Sequence, residues 1–224
     1  VAERRAKAPR AASRKPARAT PAAAPARAPR VRWTVLPATR ERWADVAALF
    51  GVKGACAGCW CMWPRVTAAE SRALGAEGRK KRFRGLIARD AVPGLIAYDG
   101  ETPAGWIAIA PRPEYRRLEG SRVLAPVDDQ EVWSVPCFFV GREHRGKGLT
   151  VALLKAACRW AASQGARVVE GYPNDPTHSK SPRMPAAFAW MGIASSYTAA
   201  GFKEVARRSP LRPIMRKRVR AARG

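Results

Sequence analysis

Residues 137–150 read Cys137-Phe-Phe-Val-Gly-Arg-Glu-His-Arg-Gly-Lys-Gly-Leu-Thr150, an apolar strand joined to a glycine-bearing loop that opens directly into a helix. Gly146 and Gly148 allow positive φ and close backbone approach. The helix predicted to begin near Leu149 aims unpaired N–H groups and the positive end of its dipole at the same point. The product is a seat for an anion, most naturally a phosphate. Two better-known phosphate loops do not fit. Lys147 falls between the glycines, where a P-loop needs Gly-x-x-x-x-Gly-Lys-Ser/Thr, and Val151 stands where a dinucleotide loop needs its third glycine.

The flanks extend the pattern. Upstream, Gly94 to Ala110 reads as two apolar strands around a polar turn at Asp99 to Pro103, a hairpin signal. Downstream, Val151, Leu154, Ala157, Cys158 and Ala161 have helical spacing over Thr150 to Gln164, with Gly165 as the stop. A short β-branched strand follows at Ala166 to Tyr172, and after a long connection comes Tyr197-Thr-Ala-Ala-Gly201-Phe202.

Arg145-Gly-Lys-Gly-Leu-Thr150 resembles the acyl-CoA loop of the GNAT N-acetyltransferases, Arg/Gln-x-x-Gly-x-Gly/Ala, with Thr150 in place of the usual final Gly or Ala. Tyr197 to Phe202 resembles that family's Tyr-x-x-x-Gly-Phe element. The resemblance spans Trp33 to Val219 and implies an α/β fold: a mixed central sheet with a splayed parallel strand pair and flanking helices. It also implies acetyl-CoA as co-substrate and transfer of its acetyl group to an amine, here read as that of a small molecule. The alternatives are an acetyltransferase acting on protein or aminoacyl-RNA amines, and a CoA-binding module without transfer chemistry.

The resemblance further implies roles residue by residue. Backbone groups of Phe138 and Val140 would pair with the pantetheine arm. Main-chain N–H groups of Arg145, Gly146, Lys147, Gly148, Leu149 and Thr150 would hold the pyrophosphate, with charge pairing by Arg145 and Lys147. Tyr197 would protonate the departing thiolate, since a phenol donates while neutral at pH 7. The base is less defined. The position expected to carry a carboxylate holds Ser134, leaving Glu170 on the neighbouring strand, Glu131 at the strand entrance, or no side-chain base. Trp60, Met62 and Trp63, with Ser134, are the expected acceptor-contacting residues, and His144 is expected to face solvent.

Composition bounds the remainder. The 224 residues suffice for one substantial core. Val1 to Arg32 consists almost wholly of Ala, Pro, Arg and Lys, contains no aromatic residue, and carries +9 of the net +25. Such a segment cannot bury enough surface to offset ordering entropy, so a disordered basic tail is expected over 1–32, the folded domain over 33–219, and a basic end over 220–224. Arg207 to Arg223 adds eight basic residues and no acid. The bland reading of both ends is solubilising tails; nucleic-acid contact is the other. No apolar run approaches a membrane span and no signal-peptide core is present, so a cytoplasmic protein is expected, as monomer or homodimer. Cys137 and Cys158 fit core positions. Cys56, Cys59 and Cys61 have the spacing of a thiol cluster without a nearby His, and no metal site is expected.

Overall fold

The computed structural model describes residues 32–178 and 190–220. The chain divides into Val1–Arg30 and Val31–Gly224, and the fold described belongs to the second unit. The expected tail over 1–32, apart from Arg32, lies outside the described residues, as do positions 221–224 of the basic end.

The N-terminal part builds one wall. Strand β1 (Thr34–Pro37) leads to helix α1 (Trp43–Phe50). Val46 and Phe50, one turn apart, bury the apolar face of α1, and Gly51 at φ +62° ends it. Helix α2 (Ala68–Ala88) begins with a capping box: Glu70 N–H donates to Thr67 Oγ1 at 3.2 Å, and Thr67 N–H to Glu70 Oε2 at 2.7 Å. Between these helices, residues 51–62 form a run of tight turns, with Ala55, Ala57, Trp60 and Cys61 all at positive φ.

The sheets carry the site. Strands β2 (Gly94–Asp99) and β3 (Thr102–Ala108) form the expected hairpin, followed by β4 (Ala110–Pro111), α3 (Arg116–Glu119), β5 (Trp133–Val135) and β6 (Phe138–Val140). Helix α4 (Leu149–Ser163), β7 (Val168–Gly171), α5 (Ala194–Ala199), β8 (Lys203–Arg207) and β9 (Pro213–Arg218) complete the fold. One sheet has the order β1-β2-β3-β6, the other β4-β5-β7-β9-β8, with β5 and β7 parallel.

A single break links the two sheets. Ser134 pairs with Ala110, but Phe138 pairs with Ile107, so the register slips by one residue across Pro136 and Cys137. That extra residue is a bulge, and Pro136 has no N–H to continue the ladder. The strand bends there: β5 stays paired with β7, whereas β6 follows β3 into the other sheet. This is the splayed parallel pair that the family resemblance implied.

Helix α4 packs its apolar stripe, including Leu149, Leu153 and Leu154, across the sheet. Gly105 of β3 permits this approach, because a Cβ there would lie 2.9 Å from Leu149 Cδ2. Gly165 at φ +88° follows the helix as expected. The reading of Arg207 to Arg223 as a solubilising end needs correction. Arg207 pairs with Asp175 and Glu204, and Arg216 with Glu170 and Asp128, so these cations tie β8 and β9 into the second sheet.

Candidate functional site

The anion seat forms at the end of β6. Gly146 and Gly148 adopt φ +73° and +79°, and a side chain at either would meet open space. Among the described residues, the N–H groups of Gly146, Lys147 and Gly148 make no main-chain hydrogen bond. Those of Leu149 and Thr150 lie in the first turn of α4, where no preceding turn can accept them. Arg145, Gly146, Gly148, Leu149 and Thr150 border a cavity of about 340 Å³ that Gly192, Ile193 and Ser196 also line.

From that seat, the free edge of β6 leads to the fork. Ala108 N–H donates to Cys137 O and Gly141 N–H to Ala104 O, both at 2.9 Å. By the alternation of an antiparallel ladder, Phe138 and Val140 turn their peptide groups the opposite way, into the splay. No described strand pairs with them there. The Val140 carbonyl accepts the exposed Arg145 Nε at 3.2 Å, a contact that solvent or a ligand amide can replace.

Tyr197, from α5, wedges into the fork. Its ring is fully buried against Phe138 and Phe202, and its hydroxyl lies 3.4 Å from Val135 O and 3.3 Å from Met191 O. Gly171 makes room, because a Cβ there would sit 2.1 Å from Tyr197 Cε1. Burial pushes the phenol well above its ordinary pKa, so it keeps its proton. Gly192, at φ +79°, forms the neck beside it; a Cβ would stand 3.0 Å from the Tyr197 ring and 3.2 Å from Phe138.

Beyond the neck lie two more cavities. The first, about 430 Å³, is largely apolar, with Phe50, Trp106, Phe138 and Phe139 among its walls beside Ser71, Arg72 and Arg79, and it collects Cys56, Cys59, Cys61 and Cys137. Cys61 accepts a hydrogen bond from Trp106 Nε1 at 3.1 Å and neighbours the Cys137 thiol, which donates to Phe138 O at 3.7 Å. The Cys137 thiol and Trp106 Nε1, with the Arg65 cation nearby, lower the Cys61 pKa against the effect of burial, while contact with Cys61 and burial push Cys137 well up. Among the described residues, no group of three His, Cys, Asp or Glu side chains converges to hold a metal. The second cavity, about 650 Å³, is reached past Trp63, Pro64, Ala68 and Trp190, which line both. Among the described residues, no Asp, Glu or His lines either.

Several residues expected at the site are placed elsewhere. Glu170 is fully buried within the second sheet: Oε1 accepts from Tyr172 at 2.7 Å and Arg112 at 3.2 Å, and Oε2 from Arg216 at 2.7 Å. It lines none of the three cavities, and a carboxylate so held anchors the sheet. Ser134, also fully buried, shares a 2.8 Å hydrogen bond with Tyr172 Oη and does not reach the acceptor cavities. Glu131 is exposed ahead of β5 and also lines none of them.

The aromatic cluster separates in the same way. Trp60 folds back over Gly54 and stacks on Trp43 at 5.9 Å, and Met62 is buried in the same core, so neither lines a cavity. The left-handed backbone at Trp60 and Cys61 turns these side chains inward. Trp63 does line both acceptor-side cavities. His144, expected in solvent, is buried edge-on to Trp33 with Asp99 and Glu143 within 3.5 and 3.3 Å. Sequence reasoning missed Arg117, Arg212 and Trp190, which lie far apart in the chain and carry no motif.

A family model described as the acetyltransferase (GNAT) family matches residues 54–179, more than half of the chain. The protein therefore belongs to the GNAT family of acetyl-CoA-dependent acyltransferases. No curated protein matches it. Solved structures that resemble it include a GNAT-family acetyltransferase from Streptococcus pneumoniae, 16% identical, covering 84% of this chain and 99% of that one with a TM-score of 0.45. PaiA N-acetyltransferase from Thermoplasma acidophilum, solved with coenzyme A, is 14% identical with a TM-score of 0.46, covering 84% of this chain and 99% of that one. A GNAT acetyltransferase from Listeria monocytogenes is 12% identical over 84% of this chain and 95% of its own, with a TM-score of 0.49.

Proposed function

We propose that this protein transfers the acetyl group of acetyl-CoA to the amine of a small molecule held in the cavities beyond the fork. The observation that carries this reading is the sequence of spaces along β6. An anion seat stands at one end, peptide groups of Phe138 and Val140 that no described strand pairs come next, and a largely apolar cavity of about 430 Å³ lies past the neck. That volume is within the range of small-molecule sites.

In this reading the pyrophosphate rests on the N–H groups of residues 145–150, and the pantetheine amides add to the free edge of β6. The amine nitrogen attacks the thioester carbonyl, and the Phe138 N–H on the open side stabilises the oxyanion. The C–S bond then breaks, and the thiolate takes a proton from Tyr197, whose phenol is reprotonated from solvent before the next turnover. The proton lost by the amine goes to solvent, because no described Asp, Glu or His lines either acceptor-side cavity. The acceptor accordingly enters as the neutral amine.

The test pairs CoA titration with acetyl-CoA turnover over a panel of small amines. Gly148→Asp sets a carboxylate in the seat and should weaken CoA binding by about 100-fold, roughly 2.7 kcal/mol. Unchanged affinity in a folded variant overturns the assignment of the seat. Turnover confined to protein or RNA-linked amines overturns the small-molecule reading.

A further inference from the structure

The cavity of about 650 Å³ is lined by two guanidinium groups that have no counter-charge among the described residues. Of the buried or half-buried arginines described, Arg42 and Arg79 have no carboxylate but spend their donors within the fold, on Pro37 O and Thr39 and on Gly58 O and Ser71, whereas Arg65 has Glu114 and Arg112 has Glu119 and Glu170. Arg207 and Arg216 are likewise paired. Arg117 and Arg212, both half-buried and both lining this cavity, reach no carboxylate among the described residues. Nor can residues 179–189 supply one, since that stretch contains no Asp or Glu.

Their surroundings hold the two side chains in place without neutralising them. Arg117 lays its guanidinium over the Trp63 ring at 3.3 Å and donates Nε to Val66 O at 3.1 Å, while its Nη2 is buried with no hydrogen-bond partner among the described residues. Arg212 donates Nη1 to Tyr172 O at 3.3 Å and contacts Met191 Sδ at 2.9 Å. A partly desolvated cation without an anion is costly, and burial lowers the pKa of both groups. A guanidinium fork is suited to a carboxylate or phosphate.

Resting on the acetyltransfer reading above, we infer that the acceptor is an amine bearing an anionic group, carboxylate or phosphate, that sits between Arg117 and Arg212. The two acceptor-side cavities divide such a molecule. Its apolar arm enters the pocket of Phe50, Trp106 and Phe139, and its anion enters the basic cavity. Met191 lines the basic cavity and Phe138 the apolar one, while both contact Tyr197, so the amine falls at the fork where the arms meet.

Two measurements test this separately from the transfer chemistry. The first is kcat/KM with acetyl-CoA for matched acceptors: phenylalanine against phenylalaninamide, and a long-chain aminoalkyl phosphate against the corresponding amino alcohol. The anionic member of at least one pair should be favoured by tenfold or more, the preferred pair distinguishing carboxylate from phosphate. Arg212→Gln and, independently, Arg117→Gln should remove that preference through KM, leaving the neutral members within about twofold. The second is binding of amine-free probes, 3-phenylpropionate and phenyl phosphate against 3-phenylpropanamide, to the CoA-loaded protein by calorimetry. At least one anion should bind tenfold tighter than the neutral probe and lose that margin in both variants. Anion binding without turnover of any amine upholds the subsite and overturns the transferase reading. Equal binding of anions and amide, or equal loss for charged and neutral probes in folded variants, overturns the subsite.

Discussion

Tyr197 shows how one side chain joins packing to chemistry. Its ring closes the gap opened when β6 leaves β7, and Gly171 and Gly192 yield the space it needs. The hydroxyl remains protonated because burial disfavours the phenolate. Tyr197→Phe preserves the wedge and removes the proton donor. CoA affinity should persist within about twofold, while kcat falls by ~10²-fold, the lower part of the range for general acids, since a thiolate leaves more readily than an amine. Titration of CoA beside kcat measured where chemistry limits the rate checks both parts; equal kcat values would remove Tyr197 from the mechanism.

Among elements, the second sheet depends on a buried charge cluster that the local sequence disguises as chemistry. Glu170 is an acid interrupting an apolar strand, which also describes a catalytic carboxylate. Its partners come from the segment after β4 and from β9, 58 and 46 residues away in the chain. Glu170→Gln leaves Arg112 and Arg216 under-compensated, and should lower stability by about 3–5 kcal/mol in chemical denaturation. The folded fraction should retain kcat within a fewfold. A loss of kcat by 10²-fold or more at undiminished stability would restore Glu170 as the base. The bulge at Pro136 and Cys137 is the other decisive element feature. Pro136 is visible in the sequence, but the one-residue slip that opens the fork appears only from the partners of Ser134 and Phe138.

For the whole molecule, pH should act in two separate windows. On the alkaline side, no described acid or histidine lines the acceptor cavities, so the rate should rise about tenfold per pH unit up to the pKa of the free amine. That limb should move with the amine when acceptors of different basicity are compared. Because the Tyr197 pKa is raised, its deprotonation should not turn the profile down by pH 10. A limb fixed at one pH for every amine would instead reveal an enzyme base.

On the acid side, Asp175 ties the chain after β7 to the β8–β9 hairpin. It accepts from Thr177 Oγ1 at 2.5 Å and Arg207 at 2.9 Å and pairs with His178, which hold its pKa down to about 2. A depressed folded-state pKa contributes stability above the unfolded value near 3.9, lost as pH falls through about 2. Thermal unfolding between pH 4 and 2 should therefore show a decline, on the order of 1–2 kcal/mol, that Asp175→Asn removes.

By itself, the sequence determined what local periodicity and glycine placement can encode. The hairpin of β2 and β3, helix α4 with its glycine stop, and the loop from Arg145 to Thr150 were all readable, because each is specified by neighbours within a few turns. Tertiary structure alone decided which polar and aromatic side chains face the cleft. Trp60, Met62 and Trp63 share one short segment, yet the left-handed turns at Trp60 and Cys61 bury the first two and leave Trp63 at the cavities. Glu170 was claimed by arginines from distant elements, while Arg117 and Arg212, at a common cavity, have no carboxylate among the described residues. Whether a charge is spent within the fold or remains for a ligand depends on partners brought together through space, which spacing along the chain does not record.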